Sequence, residues 1–295
     1  MRTVDRRELG AFLALLTVTA AWGSTFFMIK DIVGRLPVAD LLAVRFALAS
    51  LALLVCSIGR LRLDRRTLRR GALLGVLYGI AQILQTAGLA HTSASVSGFV
   101  TGLYVVATPL LSALILRTAI PRTTWLAAIL ATIGLGVLSL NGFTIGYGEL
   151  LTLASAIVYA LHIVALGQLS DGIDALSLSL VQLVMITICC SVAALPGGIT
   201  LPSTPTDWMI VLYLAIVAGA LTMVAQTWAQ ARIDASRAAV IMALEPVWAA
   251  LFAVTLGGES ITARMIIGGL AILSAIYLVE LAPRWLSRRE GAHQT

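Results

Sequence analysis

Glu245 sits in the stretch Ala243-Leu244-Glu245-Pro246-Val247-Trp248, inside an apolar run that reaches from Ala238 to Leu256. A run of that length can cross a bilayer, and a charged side chain at the bilayer centre costs roughly 3 kcal/mol even on insertion scales. Glu245 must therefore face a cavity, find a donor or hold a proton. Pro246 lacks a backbone N–H and crowds the carbonyl four residues earlier, at Met242, which kinks the helix and frees that oxygen. A carboxylate beside a broken helical turn suits binding of an amine or a proton. Trp248 follows three residues later on the same helical face, and Pro246 is the candidate hinge.

Other polar residues recur at helical spacing inside apolar runs. Tyr78, Gln82 and Gln85 form one stripe, and Thr101, Tyr104 and Thr108 a second. Ser155, Tyr159 and His162 form a third, Thr222, Gln226 and Gln230 a fourth, and Trp22, Ser24 and Thr25 a shorter patch. Any one stripe could be interhelical glue, worth on the order of 0.6 kcal/mol per hydrogen bond. Five together imply a shared hydrated interior for a polar solute, with Trp22, Tyr78, Tyr104, Tyr159 and Trp248 as flat walls. The candidate substrate-binding set is thus Trp22, Ser24, Thr25, Tyr78, Gln82, Gln85, Thr101, Tyr104, Tyr159, His162, Gln226, Glu245 and Trp248. His162 is a candidate titrating group. Arg45, about two turns inside its run, is expected to snorkel outward or pair with Asp40, with an anion contact as the alternative.

This is recognition chemistry. No metalloprotease, nucleophile-elbow, nucleotide-binding or cofactor signature occurs, so no enzyme, ATP-driven pump or cofactor is expected. Cys56, Cys189 and Cys190 fall within apolar runs without metal-ligand spacing and are read as packing residues, with no metal site.

The elements that must hold these side chains follow from composition. Of 295 residues, 59% are hydrophobic and 12% charged, with a net charge of +6. These values fit a polytopic membrane protein and exclude a soluble domain. Apolar segments near 10–30, 39–58, 71–90, 95–116, 123–140, 148–167, 175–195, 207–230, 236–257 and 264–282 predict ten transmembrane helices. Lipid offers the backbone no hydrogen-bond partners, so the fold is expected to be all-α. The first segment continues past Trp22 to Ile29 and is read as a span, not a cleaved signal.

With the N-terminus inside, Arg2, Arg6, Arg7, Arg60, Arg62, Arg65, Arg66, Arg69, Arg70, Arg117, Arg122, Arg232, Arg237, Arg284, Arg288 and Arg289 are cytoplasmic. Only Lys30, Arg35 and Arg264 lie outside. The bias places both termini in the cytoplasm, with the run 60–70 as a topology anchor and no nucleic-acid partner.

Residues 85–95 align with 226–236 at an offset of 141, with identity at Gln85/Gln226, Thr86/Thr227, Ala90/Ala231, Ala94/Ala235 and Ser95/Ser236. For the first two spans of each half an offset of 137 fits better, pairing Trp22 with Tyr159, Thr25 with His162 and Arg45 with Gln182. The difference is absorbed near Leu195–Asp207. Two halves, residues 1–143 and 144–295, with five spans each must enter the membrane from opposite sides. The expected architecture is an inverted repeat around a central cavity.

The segment Ala20–Lys30 (AAWGSTFFMIK) resembles the opening of the EamA branch of the drug/metabolite transporter superfamily. Leu41–Ala49 (LLAVRFALA) is similar to its second span, and Ala243–Thr262, with Glu-Pro and the later Gly-Glu, to its ninth. Thr118 stands at the position equivalent to Glu259 in the first half, and GLYVVATP replaces a more usual Ser-Pro in the fourth span. The resemblance implies a multi-pass carrier of the cell inner membrane. The lead expectation is an amino-acid exporter, aromatic amino acids included, working by alternating access; drugs, nucleotide sugars or other metabolites are the alternatives, and an intramembrane enzyme a remote one. Expected partners are a small-molecule substrate, the bilayer and protons, acting on a monomer.

Overall fold

The computed structural model describes residues 6–116, 122–141, 144–233, 238, 241, 242 and 244–292. Arg2, Arg117, Thr118, Ala235, Ser236, Arg237 and Ala243, which the sequence singled out, lie outside the described residues. The chain forms helices α1 (Arg6–Ile32), α2 (Val38–Ser57), α3 (Arg65–His91), α4 (Ala94–Thr101), α5 (Tyr104–Leu116) and α6 (Arg122–Ser139). After these come α7 (Tyr147–Leu169), α8 (Ala175–Ala194), α9 (Pro205–Ala215), a π segment (Ile216–Leu221), α10 (Thr222–Gln230), α11 (Glu245–Thr255) and α12 (Ala263–Ala292). The all-α expectation needs one small correction. The turn between α6 and α7 carries a two-residue antiparallel ladder, pairing Leu140 with Ile145 and Asn141 with Thr144.

Among the described residues seven helices are long and apolar enough to cross a membrane, and three shorter apolar helices, Trp125–Val137, Glu245–Thr255 and Ala263–Ala275, accompany them. The outward faces carry large apolar side chains such as Leu114, Ile129, Ile133 and Leu270, which suits lipid contact and would be an aggregation hazard in water. The protein is a multi-pass membrane protein.

Three predicted spans are not continuous α-helices. The fourth divides at Gly102–Leu103 into α4 and α5. The eighth runs α9, π segment, α10. In the ninth, Ala238, Ile241 and Met242 are already helical, Leu244 is a turn residue, and α11 begins at Glu245 with Pro246 in its first turn. Proline is tolerated there because first-turn N–H groups have no intrahelical partner, so it sits just after a break in the helical span.

Close packing of α3 on α8 relies on three glycines at four-residue spacing. A Cβ on Gly71 would come within 2.6 Å of Val181, one on Gly75 within 2.6 Å of Met185, and one on Gly79 within 3.1 Å of Cys189. Gly23 of α1 and Gly98 of α4 similarly admit α11 at Trp248 and Ala249.

Polar contacts collect at two opposite ends of the bundle. At one, Lys30 Nζ donates to the carbonyls of Leu89 and Ala90, each at 3.1 Å, and Thr92 donates to Glu149 at 2.7 Å. Nearby on that end Asp40 accepts from Thr200 N at 3.0 Å. Arg35 bridges Asp31 at 2.6 Å and Asp207 at 2.8 Å, and these carboxylates, Asp31 first, raise its affinity for its proton. At the other end Arg62 N donates to Ser177 Oγ, Arg66 to Asp171 O and Arg70 to Leu169 O. There Asp64 caps α3 through Thr67 N at 2.7 Å, and the Thr67 hydrogen bonds hold its carboxyl below the usual range. The start of α7 thus lies at the end where α1 finishes.

Candidate functional site

The polar stripes converge. Trp22, Thr25, Tyr78, Gln82, Gln85, Thr101, Tyr104, Tyr159, His162, Gln226 and Glu245 line one internal cavity, joined by Phe26, Arg45, Ile163 and Met242. Two expected members are elsewhere. Ser24 bonds Tyr213 at 2.7 Å, and Trp248 stacks on Phe252 with ring centroids 6.0 Å apart. Trp248 is three residues from Glu245, but packing against Gly23 turns its ring out of the cavity.

Glu245 is 5% exposed, with Oε2 accepting from Tyr104 OH at 3.1 Å. The same hydroxyl lies 2.8 Å from Met242 O, the carbonyl that the proline was expected to free, so its one proton is shared between the two acceptors. Among the described residues no cation lies within ion-pair distance of Glu245.

The walls are tied by side-chain bonds between helices. Tyr159 donates to Gln85 Oε1 at 3.0 Å, and Gln85 Nε2 to Thr101 at 3.2 Å. His162 Nε2 meets Gln182 Oε1 at 2.9 Å, which assigns the proton to Nε2 and leaves Nδ1 a lone-pair acceptor. Tyr78 stands edge-on to Tyr159 and His162, with centroids 5.4 and 5.1 Å apart.

The π segment supplies part of the site. Its wider turn releases carbonyls from the regular ladder, and such irregular backbone survives at membrane depth only where side chains re-satisfy it. Trp22 Nε1 donates to Ala218 O at 3.1 Å and to Thr222 Oγ1 at 3.0 Å. Arg45 Nε donates to Leu214 O at 3.1 Å.

Arg45 corrects an expectation. It is 2% exposed, so it does not snorkel. Nor does it pair with Asp40, whose carboxylate is taken by Thr200 N. Its side chain lies over the Phe46 ring, 4.9 Å from the centroid, and reaches the cavity. Sequence reading gave Arg45 an anion contact only as the alternative and kept it out of the substrate-binding set; its one signal was a guanidinium two turns deep in an apolar helix.

The cavity measures about 30 Å³. One water needs about 10–15 Å³ on this measure, whereas small-molecule pockets run to about 300–1,000 Å³. The expected roomy, hydrated chamber is therefore, in this conformation, a closed polar knot with space for about two waters. An amino acid fits only after the walls separate.

The sequence profile of the EamA-like transporter family matches residues 9–140 and again residues 146–281. The chain belongs to the EamA-like transporter family. An uncharacterized transporter of Archaeoglobus fulgidus is 30% identical over 279 residues, covering 93% of this chain and 87% of that protein. The uncharacterized transporter YetK of Bacillus subtilis is 28% identical over 231 residues, 72% of this chain and 68% of its own. A solved crystal structure, 19% identical, aligns with a TM-score of 0.71 over 94% of this chain and 98% of that one, a likeness of fold.

Proposed function

We propose that this EamA-family protein is a secondary carrier that moves a small zwitterionic or amphipathic metabolite, with amino acids, aromatic ones included, as the lead class and export as the direction. The observation that carries the reading is the convergence of Glu245, the tyrosines and the glutamines on one buried cavity. A carboxylate among aromatic walls suits an ammonium group attached to an apolar body.

Ten spans in two inverted halves, residues 1–143 and 144–295, complete the proposal. Supporting it are the two successive family matches and the opposite directions of α1 and α7. Rocking of the halves would open the closed cavity to either side, with the Pro246 break as a hinge. The arginine-rich end, with both termini, faces the cytoplasm of a cell whose inner membrane holds a monomer.

A second reading adds proton coupling. It is favoured by Glu245 having a neutral hydroxyl and no cation as its partner among the described residues. Purified protein in liposomes, screened with labelled amino acids with and without an imposed pH gradient, tests both. Uptake that ignores the gradient removes the coupling; absence of uptake for every amino acid removes the substrate class.

A further inference from the structure

The cavity has two poles, and only one of them has a place in the reading above. Glu245 is the negative pole. The positive pole is Arg45, a group that stays ionised at any physiological pH. Its Nε is occupied by Leu214 O, while its two Nη groups donate to nothing among the described residues. No carboxylate among the described residues lies within ion-pair distance of it. Asp40, on the same helix, is committed to Thr200. A buried guanidinium without a counter-charge is costly unless something supplies the anion, and its planar fork matches a carboxylate.

The duplication explains why each pole is single. At the offset of 137 the counterpart of Arg45 is Gln182, which is spent on His162 and Thr227. At the offset of 141 the counterpart of Glu245 is Tyr104. Divergence of the halves has thus left one cation and one anion in a cavity that a symmetric duplication would have lined with like groups in pairs. Three further atoms lack a partner among the described residues: Gln82 Oε1, Gln226 Oε1 and His162 Nδ1. All three are acceptors, and each residue lines the cavity.

From this geometry we infer that Arg45 is the carboxylate-recognition residue of the site, so that the carrier takes zwitterions in one fixed orientation and discriminates against analogues bearing a single charge. The ammonium end lies with Glu245 and the acceptors, and the carboxylate end with Arg45. The inference rests on the amino-acid carrier reading.

The test uses the full chain in liposomes preloaded with L-phenylalanine, with labelled L-phenylalanine counterflow competed by phenylalanine, phenethylamine or 3-phenylpropionate. The wild type should prefer phenylalanine to either analogue by at least about ten-fold, because a site built to bond a polar group rejects the ligand that lacks it. Arg45→Gln should weaken phenylalanine while leaving phenethylamine where it was, so that the preference collapses. Arg45→Lys, which keeps the charge without the fork, should lie between and serves if Arg45→Gln does not fold. Equal weakening of both ligands would make Arg45 merely structural and overturn the inference. Phenethylamine competing as well as phenylalanine in the wild type would also overturn it while leaving an amino-acid carrier in place. No counterflow of phenylalanine, alanine or any other amino acid would remove the substrate class and the inference together.

Discussion

Tyr104 donates its hydroxyl to Glu245 at 3.1 Å, and the two residues stand 141 positions apart, the same interval that aligns Gln85 with Gln226. A second pair behaves alike: Ser50 and Thr187 meet at 3.0 Å and are 137 apart, the interval that aligns the leading spans of the two halves. Equivalent residues of two related halves touch each other only close to the axis that relates them. On the inverted-repeat proposal, the axis passes between α2 and α8 and between the α4–α5 break and the start of α11, through the cavity.

Glu245→Gln is the first prediction. The amide is isosteric and can still accept from Tyr104, so expression and thermal stability should stay close to wild type while transport is lost. Tyr104→Phe should cost less transport but more stability, about 0.6 kcal/mol for each hydrogen bond removed. Counterflow and a thermal melt separate the two, and undiminished transport by Glu245→Gln would take the carboxylate out of the mechanism.

A second prediction concerns the Ser50–Thr187 pair. In a background with Cys56, Cys189 and Cys190 replaced by alanine, Ser50→Cys with Thr187→Cys should cross-link readily under mild oxidant. The control, Ser50→Cys with Ile188→Cys, should not, because Ile188 is 50% exposed on another face of α8. Mobility on a reducing and non-reducing gel reads the result, and a control that cross-links equally well would dismiss the close approach of the pair.

The helices were legible because lipid leaves the backbone no alternative: segments 71–90 and 175–195 emerge as Arg65–His91 and Ala175–Ala194. The breaks at Gly102–Leu103 and Ile216–Leu221 were not, because hydropathy averages over a whole span and one altered turn leaves the average unchanged. Most cavity residues could be read from position, since polar groups at depth must point inward. Ser24 and Trp248 could not, because their directions depend on partners distant in sequence, Tyr213 and Gly23. Arg45 escaped for the same reason, as nothing local indicates that Thr200 would claim Asp40. Cavity size has no sequence signature at all.

The glycine contacts give a third prediction. Gly102→Ala would place a methyl 2.4 Å from Pro246 Cγ, and Gly75→Ala one 2.7 Å from the backbone oxygen of Gln182. Both should lose about 1–3 kcal/mol through overpacking. Gly197→Ala, with nothing within 4 Å of the added carbon, should be neutral. Melting temperatures of the three in one detergent decide it; equal values would mean that α3 and α4 yield to the added methyl.

Glu259 gives the last prediction, at the arginine-poor end. Its carboxylate accepts from Ala94 N at 2.6 Å, from Ser95 N at 3.2 Å and from the Ser95 hydroxyl, so the turn between α11 and α12 is fastened to the first turn of α4. Gly258, at φ +72°, makes the turn that brings it there. In sequence, the corresponding position of the first half is Thr118, which has no carboxylate. Losing a helix N-terminal acceptor costs about 0.5–2 kcal/mol. Glu259→Ala should therefore speed amide exchange at Ala94 and Ser95, with protection at Ala81 in the middle of α3 unchanged, as measured by hydrogen exchange with mass spectrometry. Glu259→Gln, which keeps an acceptor and loses the charge, should fall between. On the proposed alternating-access mechanism, opening at this end would release the fastening, and both variants should then also admit a water-soluble thiol reagent faster to Thr25→Cys in the cysteine-free background. Unchanged labelling alongside faster exchange would confine Glu259 to capping α4.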